Sequence, residues 1–281
     1  MKYLVNGIDE ATISINDRGF QYGDGLFETI MVEKGRAIFL TEHFDRLDKG
    51  CDVLGFPAVD RKRLKGEMMS LISSSEFGVL KIILSRGQSE RGFLSPRNPD
   101  ITRVLSFSKS TVSNVQSLKQ MNITLCETRL SQQPLLAGLK HLNQLERVLA
   151  RSEWRQPDIT DGLMLDRDEH VIEGTMSNVF IVKDGVIKTA DLSQAGVKGV
   201  IRDVIIRQAR VLDIECEVVF LTLDDVLNAD EVFMTNSIML LQSVAKFMYK
   251  KRVVEFEEDA VAIMMHDVLR KNVVTQSGVA Q

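Results

Sequence analysis

The stretch IEGTMSNVF, residues 172–180, joins an apolar run to a turn of small residues and then to a second apolar run. The apolar runs predict two short strands, and Gly174 with the small residues after it predicts the turn between them. Glu173 is then a carboxylate at a strand end, where it can accept a hydrogen bond from a heterocyclic N–H and favour the protonated ring. A solvated strand-end glutamate is the commoner explanation, and this stretch alone does not decide between the two.

Downstream of this stretch, residues 194–202 read QAGVKGVIR and open a predicted helix that runs through Leu212. Free N–H groups and the dipole at a helix start favour phosphate, although any glycine turn before a helix shares these features. A strand predicted at residues 231–234 ends in Thr235, Asn236 and Ser237. Their hydroxyl and amide groups can add phosphate contacts, and they equally fit an ordinary transition from strand to turn.

Upstream, residues 136–143 read LAGLKHLN and place Lys140 between a loop and a predicted helix at residues 142–154. Leu145, Val148 and Leu149 share one face of that helix, which predicts an amphipathic element. Burial in such an apolar junction lowers the pKa of a lysine and leaves an amine able to act as a nucleophile. A lysine with a buried stem and a solvated ammonium is the commoner arrangement, and local spacing leaves both open.

The pattern of apolar residues in the rest of the chain predicts two domains that contain both helices and strands. Two domains suit a length of 281 residues. We expect a small N-terminal α+β domain at residues 1–108, a polar connector at 109–121 and a larger C-terminal domain at 122–281. Thr41 is the expected N-cap of the first of the two N-terminal helices. The predicted N-terminal strands are at residues 3–5, 11–15, 27–32, 38–40, 79–84 and 102–107, and the first two flank Asn6 and Gly7 in a hairpin-like arrangement. The predicted N-terminal helices run from Thr41 to Leu54 and over residues 61–74. The predicted C-terminal strands are at residues 123–126, within 162–172, and at 179–182, 186–189 and 231–234.

Composition excludes several classes of protein. Apolar residues make up 44% and charged residues 26% of the chain, as in ordinary globular proteins. A net charge of −4 provides no positive field for a nucleic acid partner. Three distant cysteines and four histidines without ligand spacing indicate neither disulfides nor a metal site. With no signal-peptide pattern and no long apolar run, we expect a soluble cytoplasmic protein that does not bind membranes.

Four motifs occur in one order along the chain: HxxRL at residues 43–47, the lysine segment, IEGTMSNVF, and GVxGVIR at 196–202. Together they resemble the fold-type IV pyridoxal-phosphate (PLP) enzymes, over residues 6 to about 242. The resemblance implies a two-domain mixed α/β fold of the D-amino acid aminotransferase type, PLP at the domain interface and a homodimer. It implies that Lys140 is the Schiff-base lysine and that Glu173 binds the pyridine nitrogen. It assigns the phosphate to Arg46, the backbone of Val200 and Ile201, and Ser237.

Within that family, AGLKHLNQLE at residues 137–146 and FET at 27–29 are similar to the aminodeoxychorismate lyases. At residues 27–31, branched-chain aminotransferases have a pattern similar to FEGIR. This chain has Thr29 in place of the glycine and Met31 in place of the arginine. D-Amino acid aminotransferases carry R-x-H, where this chain has Arg91 followed two residues later by Phe93. The resemblance implies cleavage of 4-amino-4-deoxychorismate to 4-aminobenzoate and pyruvate for folate synthesis, with Thr29 relaying a proton and Arg91 binding a substrate carboxylate. A transaminase on the same fold and a non-catalytic PLP-binding regulatory protein are the alternatives.

Overall fold

The computed structural model describes residues 1–9, 12–72, 77–110, 115, 117–257 and 259–278. The chain divides into two compact units. The first comprises Met1–Ser113, Leu139–Asn143 and Val273–Gln281, and the second comprises Asn114–Gly138 and Gln144–Asn272. Each unit therefore gathers segments that are separate in the sequence. The continuous domains expected at residues 1–108 and 122–281 stay a prediction.

The first unit contains an antiparallel sheet with the strand order β1-β5-β4-β2-β3. Its elements, within the described residues, are β1 Lys2–Val5, α1 Arg18–Tyr22, β2 Gly25–Glu33, β3 Arg36–Ala37, α2 Leu40–Leu54, α3 Arg61–Ile72, β4 Phe77–Ser85 and β5 Thr102–Lys109. The predicted hairpin of residues 3–5 with 11–15 is wrong, because β1 pairs with β5, from Lys2 opposite Phe107 to Val5 opposite Val104. Asn6 and Gly7 do form a tight turn that pairs Val5 with Ile8, but residues 12–15 form no strand. Ala11 lies outside the described residues.

Helices α2 and α3 bury one face of this sheet. Phe44 and Leu47 from α2 and Leu64 and Met68 from α3 are 1% exposed and share one core with the sheet. The predicted end of α2 is confirmed, since Gly55 adopts the left-handed conformation that closes the helix. The predicted N-cap was wrong. Helix α2 begins one residue before Thr41, and its N-cap Phe39 has no side-chain capping bond.

The second unit contains a larger mixed sheet with the order β11-β10-β9-β13-β14-β6-β7-β8-β12, and β15 pairs with β14. Its elements, again within the described residues, are β6 Lys119–Leu125, α4 Leu145–Arg151, β7 Ile159–Leu165, β8 His170–Gly174, β9 Asn178–Lys183, β10 Val186–Ala190, α5 Val200–Val211, β11 Cys216–Val219, β12 Leu221–Thr222, α6 Leu223–Leu227, β13 Glu231–Asn236, β14 Leu240–Tyr249 and β15 Arg252–Glu255. The last helix, α7 Ala260–Gln276, belongs to the second unit up to Asn272 and to the first unit from Val273. The predicted strands on both sides of residues 174–177 are confirmed as β8 and β9. None of the described helices is long and apolar enough to cross a membrane.

Helix α4 differs from the sequence prediction in length and in the face it buries. It covers seven residues rather than residues 142–154. Leu145, Val148 and Leu149 are 70%, 58% and 55% exposed, so the predicted apolar face is not packed in this chain. Ala150 on α4 and Trp154 just beyond it are buried instead and belong to the core of the second unit.

Candidate active site

Glu173 is the penultimate residue of β8 and lies in a cluster of donors within the second unit. Its side chain is 3% exposed and is paired with Arg147 of α4 through Oε1. Its Oε2 accepts from the backbone N–H of Val197 at 2.9 Å and from Nδ2 of Asn178 at 3.3 Å. The Glu173 carboxylate is therefore buried and held by three donors, and it is not the solvated strand-end group that the sequence left open.

The turn after Glu173 is held in place by Asp161, which lies in none of the motifs of the sequence. The Asp161 carboxylate accepts from Thr175 Oγ1 at 2.5 Å, Ser177 Oγ at 2.6 Å and the N–H groups of Gly162 and Thr175. Burial raises the pKa of this carboxyl, and its hydrogen bonds act against that rise. A Cβ on Gly174 would lie 2.5 Å from Asp161 and from Ser177, so the turn needs glycine at this position. Asp161 thereby fixes where Glu173 points.

Helix α5 begins beside this cluster with Gly199 as its N-cap and with Val200 and Ile201 buried in its first turn. A Cβ on Gly199 would lie 2.0 Å from Oδ1 of Asn178, so the helix start packs directly on the asparagine that bonds Glu173. The structure therefore brings the predicted residues Glu173, Val200 and Ile201 together through Asn178. Asn178 lies inside the quoted motif, but only the packing identifies what it contacts.

Thr235, the first of the three polar residues that the sequence places at the end of β13, adds a hydroxyl to the same side of the sheet. It pairs with Asn178 in the register of β13 and β9, and paired residues project to the same face. Thr235 is 1% exposed, and its Oγ1 has no hydrogen-bond partner among the described residues. The predicted Ser237 is half-buried in the turn after β13, where Asn236 donates to the carbonyl of Met176 at 3.2 Å. A buried hydroxyl without a partner beside a helix start fits an anionic group.

Lys140 belongs to the first unit, where residues 140–142 lie along the edge of β2. The Phe27 N–H donates to the carbonyl of Lys140 and the Leu142 N–H donates to that of Gly25, both at 3.0 Å. Nζ of Lys140 lies 4.2 Å from the centre of the Phe27 ring. Lys140 is half-buried. Its backbone is thus held against β2 beside an isolated antiparallel bridge between Leu26 and His141, whereas the sequence indicated a junction between a loop and a helix.

The two faces of β2 carry different groups. Thr29 is two residues from Phe27 and shares its face, since side chains alternate along a strand. Glu28 projects to the opposite face, where it accepts from Nδ1 of His43 at 2.6 Å and from Nε of Arg46 at 2.8 Å. Burial alone would raise the pKa of Glu28, but Arg46 and His43 lower it to about 2. The structure therefore pairs Arg46 with Glu28, and its predicted phosphate role stays a prediction.

The last predicted site residue, Arg91, is exposed in the loop between β4 and β5 of the first unit. No described residues form a cluster of potential metal ligands. The structure therefore displays three groups of predicted residues. Glu173, Val200 and Ile201 are joined in the second unit, Lys140 and Thr29 share one face of β2, and Arg91 lies on a loop.

Comparisons with known proteins extend over nearly the whole chain. The family model for amino-transferase class IV matches residues 25–247. The chain is 34% identical over 256 residues to the aminodeoxychorismate lyase of Vibrio harveyi, covering 90% of this chain and 94% of that protein. It is 30% identical over 249 residues to a D-alanine aminotransferase of Listeria monocytogenes, covering 84% of each chain. The crystal structure of 4-amino-4-deoxychorismate lyase from Pseudomonas aeruginosa matches with a TM-score of 0.86 and 37% identity, covering 96% of this chain and 98% of that one.

Proposed function

This chain belongs to the amino-transferase class IV family, and from that premise we propose that it cleaves 4-amino-4-deoxychorismate to 4-aminobenzoate and pyruvate. Family membership confirms the predicted mixed α/β fold of type IV, PLP as the cofactor and an enzymatic role. One observation carries the choice of reaction. Two aminodeoxychorismate lyases match this chain at 34% and 37% identity, each over at least 90% of its length.

The residues of the second unit fit the cofactor. PLP, when bound, supplies an electrophilic carbon and a protonated ring that accepts electrons. Glu173 can accept the ring N–H, since a carboxylate oxygen has two lone pairs and Oε1, which accepts from Arg147, can take a second donor. The N–H groups at the start of α5 suit the phosphate through Val200 and Ile201.

Two hydroxyls and an arginine complete the proposed phosphate contacts. Thr235 offers a buried hydroxyl whose oxygen lacks a partner among the described residues. Ser237 follows two residues later, in the turn that Asn236 ties to Met176. Arg46 is proposed as a phosphate ligand by family resemblance. Its Nε and Nη2 donate to the carboxylate of Glu28, which fixes the position of the guanidinium.

In the first unit, Lys140 is the proposed point of covalent attachment and the base that removes the proton from the amine-bearing carbon of the substrate. Its backbone bond to Phe27 fixes where its side chain starts. Thr29 on the same strand face is proposed to relay a proton to the departing enolpyruvyl oxygen, which a hydroxyl within hydrogen-bond reach can do. Arg91 is proposed to bind a substrate carboxylate. We also propose a cytoplasmic homodimer, as in fold-type IV enzymes, for which sedimentation gives the direct test.

Transamination is the competing reaction, favoured by the 30% identity to a D-alanine aminotransferase. Thr29 and Met31 replace the glycine and arginine of the branched-chain pattern, and Phe93 replaces the histidine of the D-amino acid pattern. These substitutions weaken both transaminase assignments. A non-catalytic PLP-binding protein is the second alternative, and turnover of either kind would exclude it.

The deciding experiment compares the two reactions on one preparation. Purified, PLP-loaded protein is given 4-amino-4-deoxychorismate, and pyruvate is followed with lactate dehydrogenase. The same protein is given 2-oxoglutarate with D-alanine or leucine, and glutamate is measured. We expect pyruvate release to exceed amino transfer by at least a hundredfold, with Lys140→Ala as the inactive control. Faster glutamate formation would replace the lyase assignment with the transaminase one.

A further inference from the structure

Arg18 is a buried arginine of the first unit whose N–H groups donate to one loop, residues 89–94, about seventy positions further along the chain. Its side chain is 3% exposed. Nη1 donates to Oγ of Ser89 and to the carbonyl of Gly92, both at 3.0 Å, and more weakly to the carbonyl of Leu94 at 3.5 Å. Nη2 donates to the carbonyl of Phe93 at 2.9 Å. Three successive loop carbonyls therefore face a single guanidinium.

The guanidinium of Arg18 is itself held in place by Asp24. Nε of Arg18 donates to Oδ2 of Asp24 at 2.8 Å, and Nε of Arg86 donates to the same oxygen at 2.8 Å. Burial would raise the pKa of Asp24, but the two arginines lower it. The Arg18 guanidinium also lies 5.0 Å from the centre of the Tyr22 ring, which is 5.3 Å from the ring of Phe93. Arg18 thus has a fixed position from which to hold the loop.

Because the carbonyls face inward, the side chains of this loop face outward. Phe93 and Leu94 are 84% and 92% exposed, and Arg91 is exposed beside them. Gly92 between them has φ of 115°, a conformation that favours glycine. The loop thus displays a cation next to two apolar side chains, a combination that suits a carboxylate carried on a hydrophobic ring.

We propose that Arg18 is a positioning residue that clamps residues 89–94 and so presents Arg91 to a ring-borne substrate carboxylate. This inference rests on the proposed function, whose substrate carries carboxylates on and beside a carbocycle. Lysine cannot replace Arg18, because a single ammonium lacks the planar fork that reaches Asp24 on one side and the loop carbonyls on the other.

Arg18→Lys is the test variant, and Arg86→Lys is its matched control. Arg86 binds the same oxygen of Asp24 but donates to the carbonyls of Leu54 and Gly55 rather than to the loop. Both variants are digested with trypsin under native conditions, and the rate of cleavage after Arg91 is measured by mass spectrometry. We expect Arg18→Lys to raise that rate at least tenfold and Arg86→Lys to change it less than twofold. Equal rates in the two variants would overturn the clamp.

Ser89→Ala provides a second, milder variant in case Arg18→Lys disturbs folding. Ser89 is half-buried, and its substitution removes one bond of the clamp without touching the core. We expect about threefold faster cleavage after Arg91 than in the unchanged protein. An unchanged rate would count against the clamp.

The role in substrate binding is measured separately on PLP-loaded enzyme. Arg18→Lys should raise KM for 4-amino-4-deoxychorismate at least tenfold while kcat changes less than threefold. Arg91→Ala should raise KM similarly, and the double variant should be no worse than Arg91→Ala alone, because the two residues act through one contact. Additive effects, or an unchanged KM in Arg18→Lys, would overturn the positioning role. If the unchanged enzyme releases no pyruvate, the proposed function fails, while the trypsin rates still decide the clamp.

Discussion

Replacing Glu28 with glutamine tests the buried charge cluster beneath β2. Glu28 is 1% exposed and carries the negative charge that faces both His43 and Arg46. Glutamine has nearly the same shape but no charge, and its amide N–H₂ cannot accept from a donor. The variant therefore leaves Arg46 beside a neutral group without creating a cavity. Removing one partner of a buried ion pair costs about 3–5 kcal/mol of unfolding free energy.

The pH dependence of stability provides an independent value for the contribution of Glu28. The pKa of Glu28 falls from 4.5 to about 2 in the folded protein. That difference corresponds to about 3 kcal/mol of stability, at 1.36 kcal/mol per pKa unit. Since the folded pKa is the lower one, this stability is fully present above pH 4.5 and is lost as the pH falls towards 2. Burial also lowers the pKa of His43 below 6.5, so its protonation in the unfolded chain adds to acid destabilisation.

The measurement is urea-induced unfolding of wild type and Glu28→Gln at pH 7 and at pH 3.5. We expect the variant to be about 3 kcal/mol less stable at pH 7, with a smaller difference at pH 3.5, where the wild-type contribution is partly lost. The control is Asp52→Asn on the exposed side of α2, which should change stability by less than about 0.5 kcal/mol. A Glu28→Gln variant as stable as wild type at pH 7, or an equal difference at both pH values, would refute the reasoning.

Three further substitutions test the site. Lys140→Ala should abolish both pyruvate release and the visible absorbance of lysine-bound PLP, and retention of both would remove Lys140 from its role. Thr29→Ala should bind PLP normally but release pyruvate at least a hundredfold more slowly, with Thr29→Ser restoring most of the rate; an unchanged kcat in Thr29→Ala would exclude the proton relay. Gly199→Ala places a methyl group 2.0 Å from Oδ1 of Asn178 and should weaken PLP binding at least tenfold, measured by fluorescence titration, whereas Gly66→Ala, with nothing within 4 Å, should not. Equal PLP affinities in the two alanine variants would contradict the proposed phosphate contacts at the start of α5.

Local pattern was sufficient where an element is defined by its own residues. The strand, turn and strand at residues 172–180 follow from apolar runs on either side of a glycine, and the structure places β8 and β9 there. The helix after Gly199 and the end of α2 at Gly55 are equally local, since a glycine marks each boundary. Composition and spacing could not choose the chemistry, and only the order of four motifs along the chain indicated the family.

Features that depend on distant segments were missed or wrong. The pairing of β1 with β5 joins residues about a hundred positions apart, so the adjacent turn at Asn6 misled the prediction. The apolar face of α4 has helical spacing, but spacing does not show whether another surface covers it, and Leu145 is 70% exposed. Asp161 had no local signature at all, and the sequence did not distinguish Thr235 from an ordinary residue at a strand end. Their importance comes from the register of β13 with β9 and from bonds across 14 and 16 residues.

Strand β2 shows why sequence order could indicate a reaction yet miss the network that supports it. Because side chains alternate, Thr29 faces the side of Phe27 and Lys140, while its neighbour Glu28 faces α2 and binds Arg46. A change at Thr29 can therefore alter the reaction without disturbing the buried charges one residue away. A change at Glu28 does the reverse, costing stability and loosening Arg46 while leaving the hydroxyl in place. Adjacent residues of one motif thus carry separable roles: Thr29→Ala should slow pyruvate release without the stability loss of Glu28→Gln, and Glu28→Gln should lose stability at pH 7 and less of it at pH 3.5.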